Sequence, residues 1–304
     1  MCDAPGCVAH FYPFEVKMNL AVLVSSSIDG LMLGFIYGLA AMGLTLIFGV
    51  MRVINLAHGA VITLGMFALY LFSVQLGLNP YLALVLTLFL GLAFGVVMYF
   101  VSVHRVINAP ELTTLLATFS VDLIIVGVGT AIFTTSPFSV NVDLGTYGSG
   151  EVTVLGTKIV AVLAAILITV ALYYFLYRTR VGKSIRAVAN NRSAAELMGI
   201  NTTAMLALSF GLGTMLAMIS GGLIATLFTF TILTGDDYQT KSFVIVVLGG
   251  LGNPTGALVG GILLGLLEGI ATLFMQPSWV PVIEYVAFVL ILLLRPNGLF
   301  GARA

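Results

Sequence analysis

RTRVGKSIRAVANNRSAAELMGI, residues 178–200, is a basic and polar stretch set between two long apolar segments. Five of the chain's twelve Lys and Arg residues lie in it: Arg178, Arg180, Lys183, Arg186 and Arg192. Each would cost roughly 2.5–3.5 kcal/mol at the centre of a bilayer, so the five together would cost on the order of 15 kcal/mol. The stretch is therefore in water, and the inward bias of cationic loops puts it in the cytoplasm. It also carries a helix start and stop. Ser193 with Glu196 three residues on reads as a capping box, and Gly199 reads as a terminator. A short amphipathic helix over 193–199 suits contact with a soluble partner.

Composition agrees with a membrane setting. Hydrophobic residues make up 60% of the 304 and charged residues only 8%, against about a quarter charged in ordinary soluble domains. The 34 glycines exceed the usual ~7%, as expected where helices pack closely through small residues. Zero net charge gives no reason to expect a nucleic-acid partner. Cys2 and Cys7 are too few for a disulfide framework or a four-ligand zinc site. No cleavage site follows the first apolar run, so a cleaved signal peptide is not expected. The expected fold class is an all-α polytopic integral membrane protein.

Apolar segments read as 18–48, 56–76, 80–103, 112–135, 157–177, 204–233, 242–275 and 280–294, about eight in all. A crossing needs ~20 apolar residues. Tyr173, Tyr174 and Tyr177 mark the inner interface just before Arg178. Counting outward from there puts His104, Arg105 and Glu111 inside, 136–156 outside, Asp236 and Asp237 outside, and Arg295 and Arg303 inside. Segment 242–275 must then begin and end outside, and it carries a break at LGGLGNPTGALVGG, 248–261. The economical solution is a re-entrant unit, non-helical at 249–254 near the middle of the membrane. The first half has a similar disturbance at GVMRVINLAHGAVITLG, 49–65. Interrupted segments in both halves point to a midplane path for substrate. The side of the N-terminus depends on whether 18–48 is one crossing or 43–53 forms a second half-helix.

Candidate path residues follow from these breaks: Asn55, His58 and Gly59 in the first, Gly249, Gly250 and Asn253 in the second. An Asn ahead of a returning helix can cap its amides, and half-helix ends attract the carboxylate of a zwitterion. His58 alone reads as a packed, hydrogen-bonded residue. Glycines at spacing four read as close-packing faces: Gly34 with Gly38, Gly91 with Gly95, Gly252, Gly256 and Gly260, and Gly261, Gly265 and Gly269. Glu268, Asp122 and Asp29 lie in or beside apolar runs, where a carboxylate is costly and marks function by default; a packed or paired role is the plainer reading. Gly182-Lys183-Ser184 resembles the end of a phosphate-binding loop, but its first glycine would fall at Tyr177, so no nucleotide site is expected. No catalytic constellation and no metal site are evident.

The landmarks GLTLIFGVMRVINLAHG (43–59), RVGKSIRAVANNRSAAELMGIN (180–201), VVLGGLGNPTGALVGGILLGLLE (246–268) and LILLLRPNGLFG (290–301) together resemble the membrane permease subunit of branched-chain amino acid ABC importers. The resemblance covers about Gly34 to Gly301. It implies a tail at 1–17 and one transmembrane permease domain over 18–304, with 178–203 as the loop that couples to an ATPase. That loop contains Arg186, Ala194, Ala195, Glu196, Leu197 and Gly199, with Ala194-Ala195-Glu196 in place of the Glu-Ala-Ala order of other ABC permeases. It further implies a second permease subunit, two cytoplasmic ATPase subunits, an external solute-binding protein and a place in the bacterial cytoplasmic (inner) membrane. The chain itself would bind no cofactor, ATP being used by its partners. Urea and short-amide permeases are related, and no residue separates them.

Two other classes stay open at this point. Asn55-Leu56-Ala57 and Asn253-Pro254-Thr255 resemble the paired Asn-led half-helices of passive water and glycerol channels. A proton-coupled transporter would use Glu268 or Asp122.

Overall fold

A computed structural model describes residues 20–149, 152–295 and 298–300. The tail with Cys2, Cys7 and Lys17 lies outside the described residues, as do Glu151, Pro296 and Arg303. Among the described residues, seven helices are long and apolar enough to cross a bilayer. The helices are α1 (Leu20–Met51), α2 (His58–Tyr70, continued by a π turn Leu71–Gln75), α3 (Pro80–Met98), α4 (Glu111–Phe133), α5 (Gly156–Arg178), α6 (Arg180–Asn190), α7 (Arg192–Leu197), α8 (Thr202–Ala225), α9 (Thr234–Gly249), α10 (Pro254–Phe274) and α11 (Val280–Leu294). A small antiparallel hairpin, β1 (Thr146–Ser149) with β2 (Val152–Leu155), lies in the long outer loop.

Directions follow from the cytoplasmic anchor. α8 leaves the 178–201 stretch and runs outward. Gly43 of α1 meets Gly213, Leu216 and Ala217 of α8, and Ile47 packs on Gly213, so α1 runs inward against it. α1 therefore begins on the outer side and is a single crossing. At its outer end Asp29 pairs with Lys158 of α5 at 2.9 Å. α10 is antiparallel to α1: Gly30 meets Gly265 and Gly269, Gly34 meets Gly261, and Gly38 meets Leu258. A methyl added at Gly34 would stand 2.8 Å from the carbonyl oxygen of Gly261, so this seam admits only glycine. Gly91 and Gly95 of α3 pack in the same way on Met215, Gly211 and Thr214 of α8. These spacings read in the sequence as close-packing faces, and each has its partner here.

The chain folds as two halves of opposite direction. In the first, a long helix (α1) is followed by a break at 52–57, a half-helix (α2) and two crossings (α3, α4). In the second, a long helix (α8) is followed by a break at 226–233, a half-helix (α9) and two crossings (α10, α11). Packing repeats the relation: α1 lies on α10 as α8 lies on α3, α2 lies on α8 as α9 lies on α1, and α1 meets α8 while α2 meets α9. Inverted repeats of this kind are related by a pseudo-two-fold axis in the membrane plane, with binding sites near that axis.

Depth can be read from α1. The His58 Nε2–H donates to the carbonyl of Ala40 at 3.1 Å, eleven residues before Met51. At 1.5 Å per residue that is about 16 Å from the inner end, the middle of a ~30 Å core. α2 therefore starts at mid-membrane. So does α9, because the Gly59 N–H donates to Gln239 Oε1 at 2.9 Å and the backbone of Gly235 lies against that of Gly59.

Three expectations change. The break is non-helical at 250–253, within the expected 249–254, and its unit enters and leaves on the outer side, but the break is at the end bearing the cationic stretch rather than mid-membrane. Gly252 lies against Gly49 of α1 and shares a cavity with Arg186 and Asn190 of α6. The depth differs because α9 begins eight residues before the apolar run, taking in the polar TGDDYQTK. Asp236 and Asp237 consequently occupy the first turn of a half-helix at mid-membrane rather than an outer loop. The start of the short cytoplasmic helix also moves. Asn191, not Ser193, caps α7, its Oδ1 accepting from Ala194 N at 3.0 Å.

Candidate functional site

α9 has a polar strip on each side, and each strip faces a cavity. On one side Asp237, Tyr238 and Lys241 open into an outer cavity of about 490 Å³ between α1, α10 and α11. Lys241 lies there between two carboxylates, 2.8 Å from Glu268 and 3.3 Å from Glu284, with its ammonium 4.9 Å above the Tyr37 ring. Every charge in this cluster except Asp237 has an opposite charge within bonding distance, Asp29 being held by Lys158. Glu268 is thus the partner of a lysine from another helix, which is the plainer of the two roles read from the sequence.

On the other side, Asp236, Gln239 and Thr240 face Leu56, Phe119 and Asp122 across a cavity of about 410 Å³. Asp122 is eleven residues into α4, about 16 Å from its inner end, level with His58. The break at 52–57 is tied to α4 just beneath: Thr118 Oγ1 accepts from Leu56 N at 3.2 Å. Asn55 is fully buried, its Oδ1 taking the Ala57 N–H at 3.1 Å, while its amide nitrogen and His58 Nδ1 have no partner among the described residues.

The structure separates the six path candidates into two places. Asn55, His58 and Gly59 sit together at mid-membrane, where the N-termini of α2 and α9 converge. Gly249, Gly250 and Asn253 form the cytoplasmic turn between α9 and α10. Gly250 (φ +99°) and Gly252 (φ +81°) allow its reversal. Asn253 caps α10, its Oδ1 accepting from Thr255 N at 3.1 Å and Gly256 N at 3.3 Å. The half-helix that meets α2 is led by Thr234 and Gly235, so Asn253-Pro254-Thr255 is not the counterpart of Asn55-Leu56-Ala57.

Beneath this turn lie α6 and α7. α6 buries Gly182, Ile185 and Val188 and leaves Arg180 and Lys183 exposed. Arg186 Nε donates to the Leu176 carbonyl at 3.1 Å and its guanidinium covers the Tyr177 ring at 4.5 Å. A cavity of about 310 Å³ joins Arg186, Ala189 and Asn190 to Thr45 and Gly49 of α1 and to Gly252 and Pro254. In α7, Ala195 faces the protein and is buried, while Ala194, Glu196 and Gly199 are exposed. Glu196 accepts from the Thr202 hydroxyl at 2.6 Å, and Arg192 reaches Asn108 in the other inner loop at 3.3 Å. Gly199 ends the helix at φ +79°. Leu197 and Met198 stand 89% and 82% exposed at the tip. This elbow packs on α1, α5 and α8, borders a cavity shared with the α9–α10 turn, and presents an apolar knob on the face that carries the cationic stretch.

Reading the residues alone missed Lys241, Glu284, Tyr37 and Gln239. A signal existed. Lys241 is the only Lys or Arg between Arg192 and Arg295, and Lys158 the only one between Arg105 and Arg178. A lone cation among apolar runs that also contain Glu268 and Glu284 calls for pairing.

A family model described as the permease component of branched-chain amino acid transport systems matches residues 26–294. The chain is similar to the high-affinity branched-chain amino acid transport system permease protein LivH of Escherichia coli (strain K12), 28% identical over 294 residues that cover 90% of this chain and 94% of that protein. It is similar to the probable branched-chain amino acid transport permease protein LivH of Methanocaldococcus jannaschii, 29% identical, with 86% and 88% covered. It is also similar to the ribose import permease protein RbsC of Escherichia coli (strain K12), 27% identical, with 93% and 87% covered. No solved structure matches it.

Proposed function

Since the chain belongs to the branched-chain amino acid transport permease family, we propose that this multi-pass membrane protein is the pore-forming subunit of an ATP-driven importer. It works with a second permease subunit, identical or homologous, in the cytoplasmic membrane. Two cytoplasmic ATPase subunits supply the work and an external solute-binding protein delivers the substrate. The substrate is a branched-chain or other hydrophobic amino acid. The chain performs no chemistry on it and binds no cofactor. A ribose permease at similar identity indicates that likeness to this family alone does not choose the cargo, so the amino acid rests on the branched-chain relatives.

The observation that carries the reading is the α6–α7 elbow. An isolated amphipathic loop could simply rest on the membrane surface. This one is capped at both starts, by Thr179 and Asn191, and is tied into the bundle beside the α9–α10 turn. A push on its apolar tip therefore reaches the half-helix that borders both cavities. A passive channel would account for two half-helix N-termini meeting at mid-membrane, but it leaves the elbow without a role.

The test is Leu197→Asp. At 89% exposed, Leu197 contributes nothing to folding, so the variant permease should assemble normally. Losing an apolar anchor of an interface costs about 2 kcal/mol or more, roughly a 30-fold weaker contact. ATP-driven uptake should collapse while the isolated ATPase subunits keep hydrolysing. Normal uptake in the variant would remove the elbow from the coupling path. Ala195 is buried against the permease itself, so a bulky charge there tests folding rather than coupling.

A further inference from the structure

We propose that the cavity between α4 and α9, walled by Asp122 and Asp236, receives the ammonium group of the amino acid in transit. This rests on the importer reading above and adds where, and by which atoms, the cargo is held halfway.

Asp122 carries the inference. Its residue is only 9% exposed, it lines the cavity, and its Oδ1 is buried with no hydrogen-bond partner among the described residues. A buried carboxylate without a partner is among the most costly arrangements a membrane protein can keep. No Lys, Arg or His lines this cavity. The nearest candidate cation by sequence, Lys241, is on the other side of α9 and is already shared by Glu268 and Glu284. Asp236 faces Asp122 from the first turn of α9, so the space is bordered by two carboxylates. The converging N-termini of α2 and α9 favour negative charge close by, yet they give Oδ1 no hydrogen bond. What is missing is a small cation with N–H donors. A primary ammonium supplies both the charge and up to three hydrogen bonds. Phe119, Leu123 and Val126 of α4 complete the wall and offer an apolar surface for the side chain of the same molecule.

The outer cavity differs. It is larger, and it already holds two cations, Lys241 between Glu268 and Glu284 and Lys158 on Asp29, so an arriving ammonium would compete with resident lysines there.

The experiment uses the complete reconstituted importer with Cys2→Ser and Cys7→Ser, and with Thr240→Cys as a reporter inside the cavity. The thiol is reacted with a cationic and an anionic thiosulfonate reagent, each rate being normalised to a free thiol. Focusing of the field by two carboxylates in a low-dielectric cleft should favour the cationic reagent about tenfold or more. Asp122→Asn should cut that preference severalfold. Asp236→Asn, on an exposed residue, does the same if the first variant fails to assemble. Isoamylammonium should slow the cationic reaction, whereas 4-methylvalerate, which lacks the ammonium, should not. A preference near unity, a preference untouched by both variants, or equal slowing by sodium or potassium chloride at the same concentration would overturn the proposal. ATP-driven uptake is measured in the same vesicles. If it is intact while the preference is absent, only the ammonium site falls; if it never appears in the parent, the importer reading falls with it.

Discussion

The two cavities beside α9 solve one problem in opposite ways. Both contain carboxylates within the membrane. In the outer cavity each of Glu268 and Glu284 has Lys241, and Asp29 has Lys158, so the charges serve as cross-links between helices. In the mid-membrane cavity Asp122 Oδ1 has no hydrogen-bond partner among the described residues. Asp237 apart, a single half-helix thus separates charge spent on architecture from charge left over, and the leftover charge is what a translocated molecule can use. The contrast also explains why intramembrane carboxylates cannot be ranked by position alone: Glu268 and Asp122 look alike in sequence and differ only in what faces them.

The harshest way to break the comparison is to move α9 itself. Gly235 has the backbone of Gly59 on one side and the Thr63 hydroxyl on another. Ordinary overpacking costs about 1–3 kcal/mol because side chains can yield; here the obstacle is backbone. Gly235→Leu should therefore give no folded permease, seen as loss of the monodisperse peak in detergent chromatography. A well-behaved variant would mean that α2 and α9 do not meet as described.

Next in size is Lys241→Met. Removing one partner from a buried ionic cluster costs about 3–5 kcal/mol, because the remaining charges are stranded. Thermal unfolding in detergent should drop sharply, and adding Glu268→Gln and Glu284→Gln should restore much of the loss. An unchanged midpoint would show that the cluster is solvated and that the contrast between the cavities is false.

Asp122→Asn is the smallest expected effect on stability, and it sharpens the comparison most. It removes a charge that has no partner, so the unfolding midpoint should stay level or rise. A fall like that of Lys241→Met would mean that Asp122 is paired after all.

Much of this architecture is legible in the residues. The cationic 178–200 stretch sets the sidedness, parity demands that α9 and α10 enter and leave on the outer side, and the four-residue glycine spacings anticipate the α1–α10 and α3–α8 seams. All of these rest on local composition or periodicity. TGDDYQTK is the stretch that resisted. Its polar side chains read as an outer loop, because the groups that make it tolerable at depth, Glu268, Glu284, Tyr37 and the backbone of Gly59, lie 27 to 201 residues away. The cap of α7 failed for a different reason. Asn191 and Ser193 are both good caps, and only the extended backbone of Asn191 (φ −157°, ψ 104°) decides between them. The Asn253 turn was recognised as a break, but its depth depends on where α9 starts, and so it inherited the error at TGDDYQTK.

The central claim is that ATP hydrolysis, relayed through α6 and α7, drives uptake, and that Glu268 belongs to the architecture rather than to energy coupling. The direct measurement is leucine uptake into vesicles containing both permeases, the ATPases and the binding protein, with the proton gradient collapsed. It should be made for the parent chain and for Glu268→Gln, which keeps the shape and most of the hydrogen bonds. Uptake should require ATP, survive collapse of the gradient and persist in the Gln variant. Uptake without ATP, or uptake lost both on collapse of the gradient and in Glu268→Gln, would contradict the account and make the protein a channel or a proton-coupled carrier instead.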